Sequence, residues 1–368
     1  MRFRKAILPL LSVLFAGLLL AGCDNGNNAG SSAEATKNVA QTVRKAPSSI
    51  PDNQPVAQVA AQLSPSVVQV NVREIQMTPF GPQSAQGIGS GVIYRSDGYI
   101  ITAAHVVQGA SSVNVAFPDG SITKAKVVGR DPYTDIAVIK VNRNNLPVAK
   151  FSSDNNLLVG ELAVAIGSPS GFQSTVTAGV VSGTNREIPA RYTGGEQIPS
   201  LTGLIQTDAA ISPGNSGGAL ANINGEVIGI NEAYLPPGQT GAENIAFAIP
   251  APVATSVANQ LISTGHVAHP YLGVYTADLT PEIANQFNIP VNNGAIIVKV
   301  AKNSPAAQAG LKRMDVITKV GSTRIESTGD LVAALRNYKP GDTVKVTVMR
   351  GNSKKTFTVQ LGQRPQGG

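Results

Sequence analysis

The stretch from Thr207 to Leu220, TDAAISPGNSGGAL, sets Ser216 between Gly214-Asn215 and Gly217-Gly218. A serine hydroxyl is a weak nucleophile until a base takes its proton. Glycines let the surrounding backbone turn its amides toward a carbonyl under attack, although a glycine-rich turn is often only a turn. The chemistry suggested is acyl transfer, which also requires a base for the serine and a carboxylate to hold that base in one tautomer. The chain has three histidines, His105, His266 and His269. His105 closes an apolar run, YIITAAHVV, and taken alone reads better as a buried structural histidine. His266 and His269 are spaced i, i+3 with no further ligand beside them, so no metal site is expected. Asp135, in PYTDIAVIKV, stands just ahead of an apolar strand, where an unpaired carboxylate is costly. Asp97, Asp119 and Asp131 sit next to glycine or proline and read as turn residues.

Two chain orders compete for Ser216. Gly214 to Gly218 satisfies G-x-S-x-G, and Glu243 followed by His266 formally supplies the serine–acid–histidine order of an α/β-hydrolase. That fold needs a helix after the serine, whereas ALANINGEVIGIN reads as two strands around a turn. The order His105, Asp135, Ser216 is the one found in double-barrel serine proteases.

The elements that must bring these groups together are short strands. From SVVQVNV through GSGVIYR, YIITAAHVV, IAVIKV and LAVAIG to EVIGIN, eleven or twelve strand-like runs are separated by turn signals such as SDG, PDG and NING. Over some 200 residues this predicts two packed barrels or sandwiches rather than a doubly wound sheet. PAPVATSVANQLISTG predicts a helix stopped by Gly265. A second unit starts near His269 and carries a different charge. Residues 270–368 hold 13 Lys and Arg against 6 Asp and Glu, whereas residues 24–269 hold 13 against 16. The basic unit suits an anionic partner as readily as it suits plain solvation. With no basic helix or basic–aromatic stripe, nucleic acid is not expected as a partner.

The N-terminus has a basic start (Arg2, Arg4, Lys5) and an apolar run from Ala6 to Gly22, a secretory pattern. Leu20-Ala21-Gly22-Cys23 resembles the lipobox of bacterial lipoproteins, which implies lipidation of Cys23, the chain's single cysteine. The alternative is an uncleaved membrane anchor at the lower bound of spanning length. Either way the remainder is placed beyond the cytoplasmic membrane.

TAAHVV, TDIAVIKV and SPGNSGGAL, in this order and spacing, resemble the HtrA/Deg family of serine proteases. The likeness continues through VIGIN and IAFAIP to YLGV, which resembles the carboxylate-binding loop of a PDZ domain, and covers roughly residues 56–363. It implies a mainly β protein: a chymotrypsin-like double β-barrel protease domain followed by one small α+β PDZ domain. The expected organisation is a lipoprotein signal peptide and lipobox over 1–23, a flexible tether over 24–55 and the trypsin-like domain over 56–255. A linker over 256–268, the PDZ domain over 269–363 and a tail over 364–368 follow.

Carried onto this chain, the resemblance implies that Ser216 attacks the peptide carbonyl, His105 moves the proton and Asp135 orients His105. The amides of Gly214, Asn215 and Ser216 are expected to form the oxyanion hole. Ile211, Ile230 and Asn231 are expected around the residue before the cut, and Tyr271, Leu272, Gly273 and Val274 at the PDZ carboxylate loop. The activity implied is that of an ATP-independent serine endoprotease acting on unfolded or damaged proteins in the cell envelope. Its PDZ domain binds substrate or regulatory C-termini; a homotrimer is implied, and no cofactor. A regulatory protease that cuts one signalling partner, and a PDZ scaffold or chaperone without proteolysis, are the other readings. Two positions depart from the family pattern: Met314 where a glycine is common before Asp315, and Gly321-Ser322 where Asn-Gly is frequent. Arg73–Gly87 matches the family's variable activation loop, and Gly167–Thr175 and Asn185–Ser200 match loops that rearrange in it.

Overall fold

The computed structural model describes residues 50–364 other than 52, 79–80, 155, 169–174, 189–200 and 235–243. Cys23, the rest of the signal segment, nearly all of the tether, Glu243 and most of the two rearranging loops lie outside these residues. Strands β1 (Val67–Thr78), β2 (Gly81–Ile93), β3 (Tyr99–Ala103), β4 (Ala110–Ala116), β5 (Ile122–Asp131) and β6 (Ile136–Val141) close into a barrel ordered β1-β2-β3-β6-β5-β4. A second barrel follows from β7 (Leu162–Gly167), β8 (Thr175–Ile188), β9 (Leu201–Thr207), β10 (Ala219–Ala221), β11 (Val227–Tyr234) and β12 (Ala246–Pro250), ordered β10-β11-β12-β9-β8-β7. The turns expected at SDG, PDG and NING are present, each with its glycine at positive φ.

Near-continuous apolar strands such as IAVIKV are explained by burial on both faces. Ala137 and Ile139 fill the first barrel, while Ile136 and Val138 point the other way into a cluster shared with Val164, Ile166 and Ile230 of the second. Each such fully buried Ile or Val stabilises the fold by about 1.5–3 kcal/mol. Helix α1 (Pro55–Leu63) adds Val59 and Leu63 to this shared core. A single helical turn, α2 (Ala104–Val107), follows β3.

Helix α3 (Ala251–Thr264) ends on left-handed Gly265, as the sequence indicates. Its Val257, Ala258 and Leu261 also enter the shared core, so residues 256–264 are part of the protease unit and not of the linker expected over 256–268. The expected boundary falls inside this helix, whose buried Ala254, Val257, Ala258 and Leu261 recur at helical spacing. Residues 73–78 and 81–87 of the stretch matched to a loop belong to a long ribbon in which β1 and β2 pair in continuous register from Val67↔Val92 to Thr78↔Gly81.

The C-terminal unit is a sheet ordered β14 (Val274–Asp278), β15 (Ala295–Val300), β16 (Val316–Val320), β18 (Thr343–Arg350), β19 (Ser353–Gln360). The short β17 (Thr323–Arg324) pairs with β16, and β13 (Pro270–Tyr271) pairs with β20 (Gly362–Gln363). Helices α4 (Pro281–Gln286), α5 (Pro305–Ala309) and α6 (Thr328–Leu335) each start behind a hydroxyl cap, from Thr280, Ser304 and Ser327. Both departures from the family pattern preserve the turns: Met314 adopts φ 69° and Gly321 φ 57°. Arg336 at the end of α6 donates to the carbonyl of Thr202 on β9 at 2.9 Å, and His269 Nε2 lies 2.8 Å from Asp131 Oδ1, so the unit is tied to both barrels.

One ion pair links the turn before β16 to the end of β18. Arg350 donates through Nε and Nη2 to the two oxygens of Asp315, both at 2.7 Å, and Asp315 is 1% exposed. Truncating the arginine strands a buried carboxylate that, among the described residues, keeps the Lys312 amide as its hydrogen-bond donor. Arg350→Ala is expected to cost about 3 kcal/mol of stability for this unit, read as a lower denaturation midpoint. A midpoint unchanged from wild type would contradict this account.

Candidate active site

Register places the first two groups. β3 and β6 pair with Ala103 opposite Ile136, so the residues just after Ala103 face those just before Ile136. His105 and Asp135 therefore meet at one end of the first barrel. His105 Nδ1 lies 2.6 Å from Asp135 Oδ2, and the His105 backbone N–H donates to Oδ1 at 2.9 Å. The Asp135 carbonyl accepts from the Ala104 amide at 2.8 Å. Three contacts hold an aspartate that is 1% exposed and sits at φ 54°, a left-handed conformation of the kind found at functional sites. A carboxylate only accepts, so Nδ1 carries the proton and Nε2 is left with its lone pair. Burial pulls the His105 pKa down, but the hydrogen bond and charge of Asp135, with a contribution from Glu232, outweigh it and raise the ring above 6.5.

The third group comes from the loop between β9 and β10. Gly214 (φ 99°) and Gly217 (φ 83°) bracket Ser216. A Cβ on Gly217 would stand 2.3 Å from the Ser90 carbonyl oxygen, so this position needs glycine both for its φ and for space. Ser90 on β2 ties the loop to the first barrel: its N–H donates to Ser216 O at 2.8 Å and its hydroxyl to Gly214 O at 2.6 Å. The sequence reading missed Ser90, although a serine between two glycines in a strand, GSG, was a signal that something approaches the backbone there.

His105, Gly214 and Ser216 line one cleft of about 320 Å³. The Ser216 hydroxyl donates to the backbone carbonyl of Glu232 at 2.9 Å, a partner it must leave to donate to His105. Among the described residues the Gly214 and Ser216 amides have no partner, whereas that of Asn215 donates to Ser212 O at 2.9 Å. Asn215 therefore braces the turn, unlike its two neighbours in the expected oxyanion hole. Ile211 is buried inside the second barrel and Ile230 in the core shared by the two barrels, Asn231 is buried as well, and none of the three is among the described residues around this 320 Å³ cleft. Asn231 instead supports the loop, accepting from the Gly217 amide and donating to Ala219 O. His266 is exposed with its Nδ1 3.1 Å from Thr264 O, whereas His269 Nε2 lies 2.8 Å from Asp131 Oδ1.

In the C-terminal unit Leu272 is buried in the core, and Gly273 adopts φ 83° with its carbonyl held by the Ala301 amide and the Ser304 hydroxyl. Val274 opens β14, which is the edge strand of the sheet, and Thr328 at the start of α6 donates to Asp278 at its far end. An edge strand beside a helix is where an extended peptide can add as another strand.

An imidazole fixed by a buried carboxylate on one barrel, facing a cleft shared with a hydroxyl from the other, defines a double-barrel serine endopeptidase. The comparisons agree. A trypsin-like peptidase domain matches residues 89–230 and a PDZ domain residues 270–361. The serine protease Do-like HtrA of Lactococcus lactis is 43% identical over 289 residues, covering 75% of this chain and 70% of its own. A DegP-like periplasmic serine endoprotease of Marinomonas sp. is 42% identical over 294 residues; the match covers 78% of this chain but 61% of that longer protein. The solved HtrA-type protease AlgW with decapeptide aligns at a TM-score of 0.68 and 32% identity, over 84% of this chain and 99% of that one. The chain belongs to the HtrA family of serine proteases.

Proposed function

We propose that the chain cleaves unfolded or damaged proteins in the cell envelope through Ser216, His105 and Asp135, without ATP, and that its PDZ unit takes up exposed C-termini. The observation that carries the reading is the two-point attachment of His105 to a buried Asp135 across the cleft from Ser216. Ser216 Oγ leaves the Glu232 carbonyl, passes its proton to His105 Nε2 and bonds to the substrate carbonyl carbon. The resulting oxyanion is received by the Gly214 and Ser216 amides, and His105 returns the proton to the leaving amine. Water then repeats the sequence on the acyl-enzyme. In the PDZ unit, the amides around Leu272, Gly273 and Val274 receive a carboxylate while the peptide lies along β14.

The N-terminal pattern supports a secreted protein acylated at Cys23, and the name of the Marinomonas relative supports a periplasmic setting. Trimer formation rests on family likeness. The test is covalent labelling by an organofluorophosphate. Peptide mapping is expected to find the adduct on Ser216, with none after acid denaturation of the protein. Labelling elsewhere, or none in the folded protein, removes the assignment.

A further inference from the structure

Glu232 is a carboxyl that this mechanism does not use. The pairing of β11 with β12 slips between Asn231↔Ala248 and Ala233↔Phe247, so Glu232 is the extra residue of a β-bulge and faces no residue on β12. Bulges re-aim the residues they contain and are common beside active sites. Here both halves of the residue turn to the catalytic groups: its carbonyl accepts from Ser216, and its Oε1 lies 4.0 Å from His105 Nδ1. The side chain is 5% exposed, and Oε2 has no hydrogen-bond partner among the described residues. A buried carboxyl left partly unsatisfied calls for a reason, since an apolar side chain of similar size avoids the cost.

We propose that Glu232 is a positioning residue that acts through His105, sharing one proton with the ring and so keeping part of the enzyme out of its base-competent form until the pH is alkaline. The inference rests on the protease reading above. The titratable groups that face Glu232 among the described residues are His105 on α2 and Asp135 in the β5–β6 turn. β10 (ALA) and β12 (AFAIP) carry no ionisable side chain. Asp135 repels a second negative charge, whereas a protonated His105 attracts one. With one proton between them, the pair exists either as neutral Glu232 with a neutral ring or as ionised Glu232 with an imidazolium, and the net charge is the same. Only the first form leaves Nε2 able to accept the Ser216 proton. When the second proton is lost to solvent the ring is free in every molecule. Burial first, and then the charge of Asp135, push the Glu232 pKa up to about 8 against the pull of His105, which puts this last step on the alkaline side of neutrality.

The experiment is the pH profile of kcat/KM for a peptide substrate, measured on the wild type and on Glu232→Gln, which keeps the shape and loses the charge. The wild type is expected to gain activity in two steps, the second near pH 8. Glu232→Gln is expected to rise in a single step displaced downward by about one pH unit, leaving it roughly tenfold more active relative to its own plateau on the acid limb. Should the variant fold poorly, the His105 Cε1–H resonance can be followed by NMR in Ser216→Ala, where Glu232 is native. Two inflections are expected there, and a single one overturns the proposal. Superimposable profiles for wild type and Glu232→Gln also overturn it while leaving the protease assignment intact. Loss of Ser216 labelling in the wild type instead removes the protease reading itself.

Discussion

Ser216→Ala will abolish cleavage of casein, lowering kcat by roughly 10⁴- to 10⁶-fold, while the protein stays folded. In the proposed mechanism the Oγ is the atom that bonds to the substrate, and no other group in the loop replaces it. What remains is the binding and oxyanion stabilisation that act without a nucleophile. The fold should not notice the loss. The contacts that hold the loop to the first barrel use backbone atoms of Ser216 and Gly214, and only the hydroxyl bond to the Glu232 carbonyl disappears. One net hydrogen bond is worth about 1 kcal/mol, so the melting temperature moves by a few degrees at most. Casein digestion and thermal unfolding of the purified variant check both halves. Wild-type cleavage by the variant would end the assignment, and a collapse in melting temperature would show that the loop depends on more than its backbone.

Asp135→Asn will lower kcat by about 10⁴-fold, and the reason is proton placement rather than shape. Asparagine tolerates φ 54° well and can still accept the His105 N–H through Oδ1, so the turn before β6 is preserved. Its amide group then faces Nδ1 as a donor. The ring answers by moving its proton to Nε2, the edge from which Ser216 must be deprotonated. The acid limb shifts as well. In the wild type the Asp135 hydrogen bond and charge raise His105 above 6.5 against burial, so activity is lost as the pH falls through that raised value. With the charge gone, burial acts with less opposition and the remaining limb moves to lower pH. Pre-steady-state and pH–rate measurements on the variant test this; a loss below tenfold, or a limb that moves upward, contradicts the role given to Asp135.

Several features of this architecture were legible before any coordinates. The runs IAVIKV and LAVAIG announce strands buried on both faces, and glycines after Asp97, Asp119 and Asn224 announce the turns between strands. The order of His105, Asp135 and Ser216 separated the double barrel from the α/β-hydrolase because it depends only on chain direction. Such signals survive in one dimension because each is set by neighbours a few residues away.

Other features depend on distance across the fold. Nothing near Asn215 in sequence says that its amide is taken by Ser212, nor that Ser90 clamps a loop 124 residues further on. The helix after Ala251 shows an apolar face in sequence, but that this face packs on the core shared by the two barrels is decided by the fold.

By itself, then, the sequence determined the strand-rich class, the turns between strands and the chain order of three candidate catalytic side chains. Tertiary structure alone decided that Ser216 rests on the Glu232 carbonyl and that a second carboxyl stands 4.0 Å from His105. The physical reason is register. A one-residue bulge in β11 turns Glu232 toward the cleft, and a bulge belongs to the pairing of two strands, which no single stretch of chain encodes.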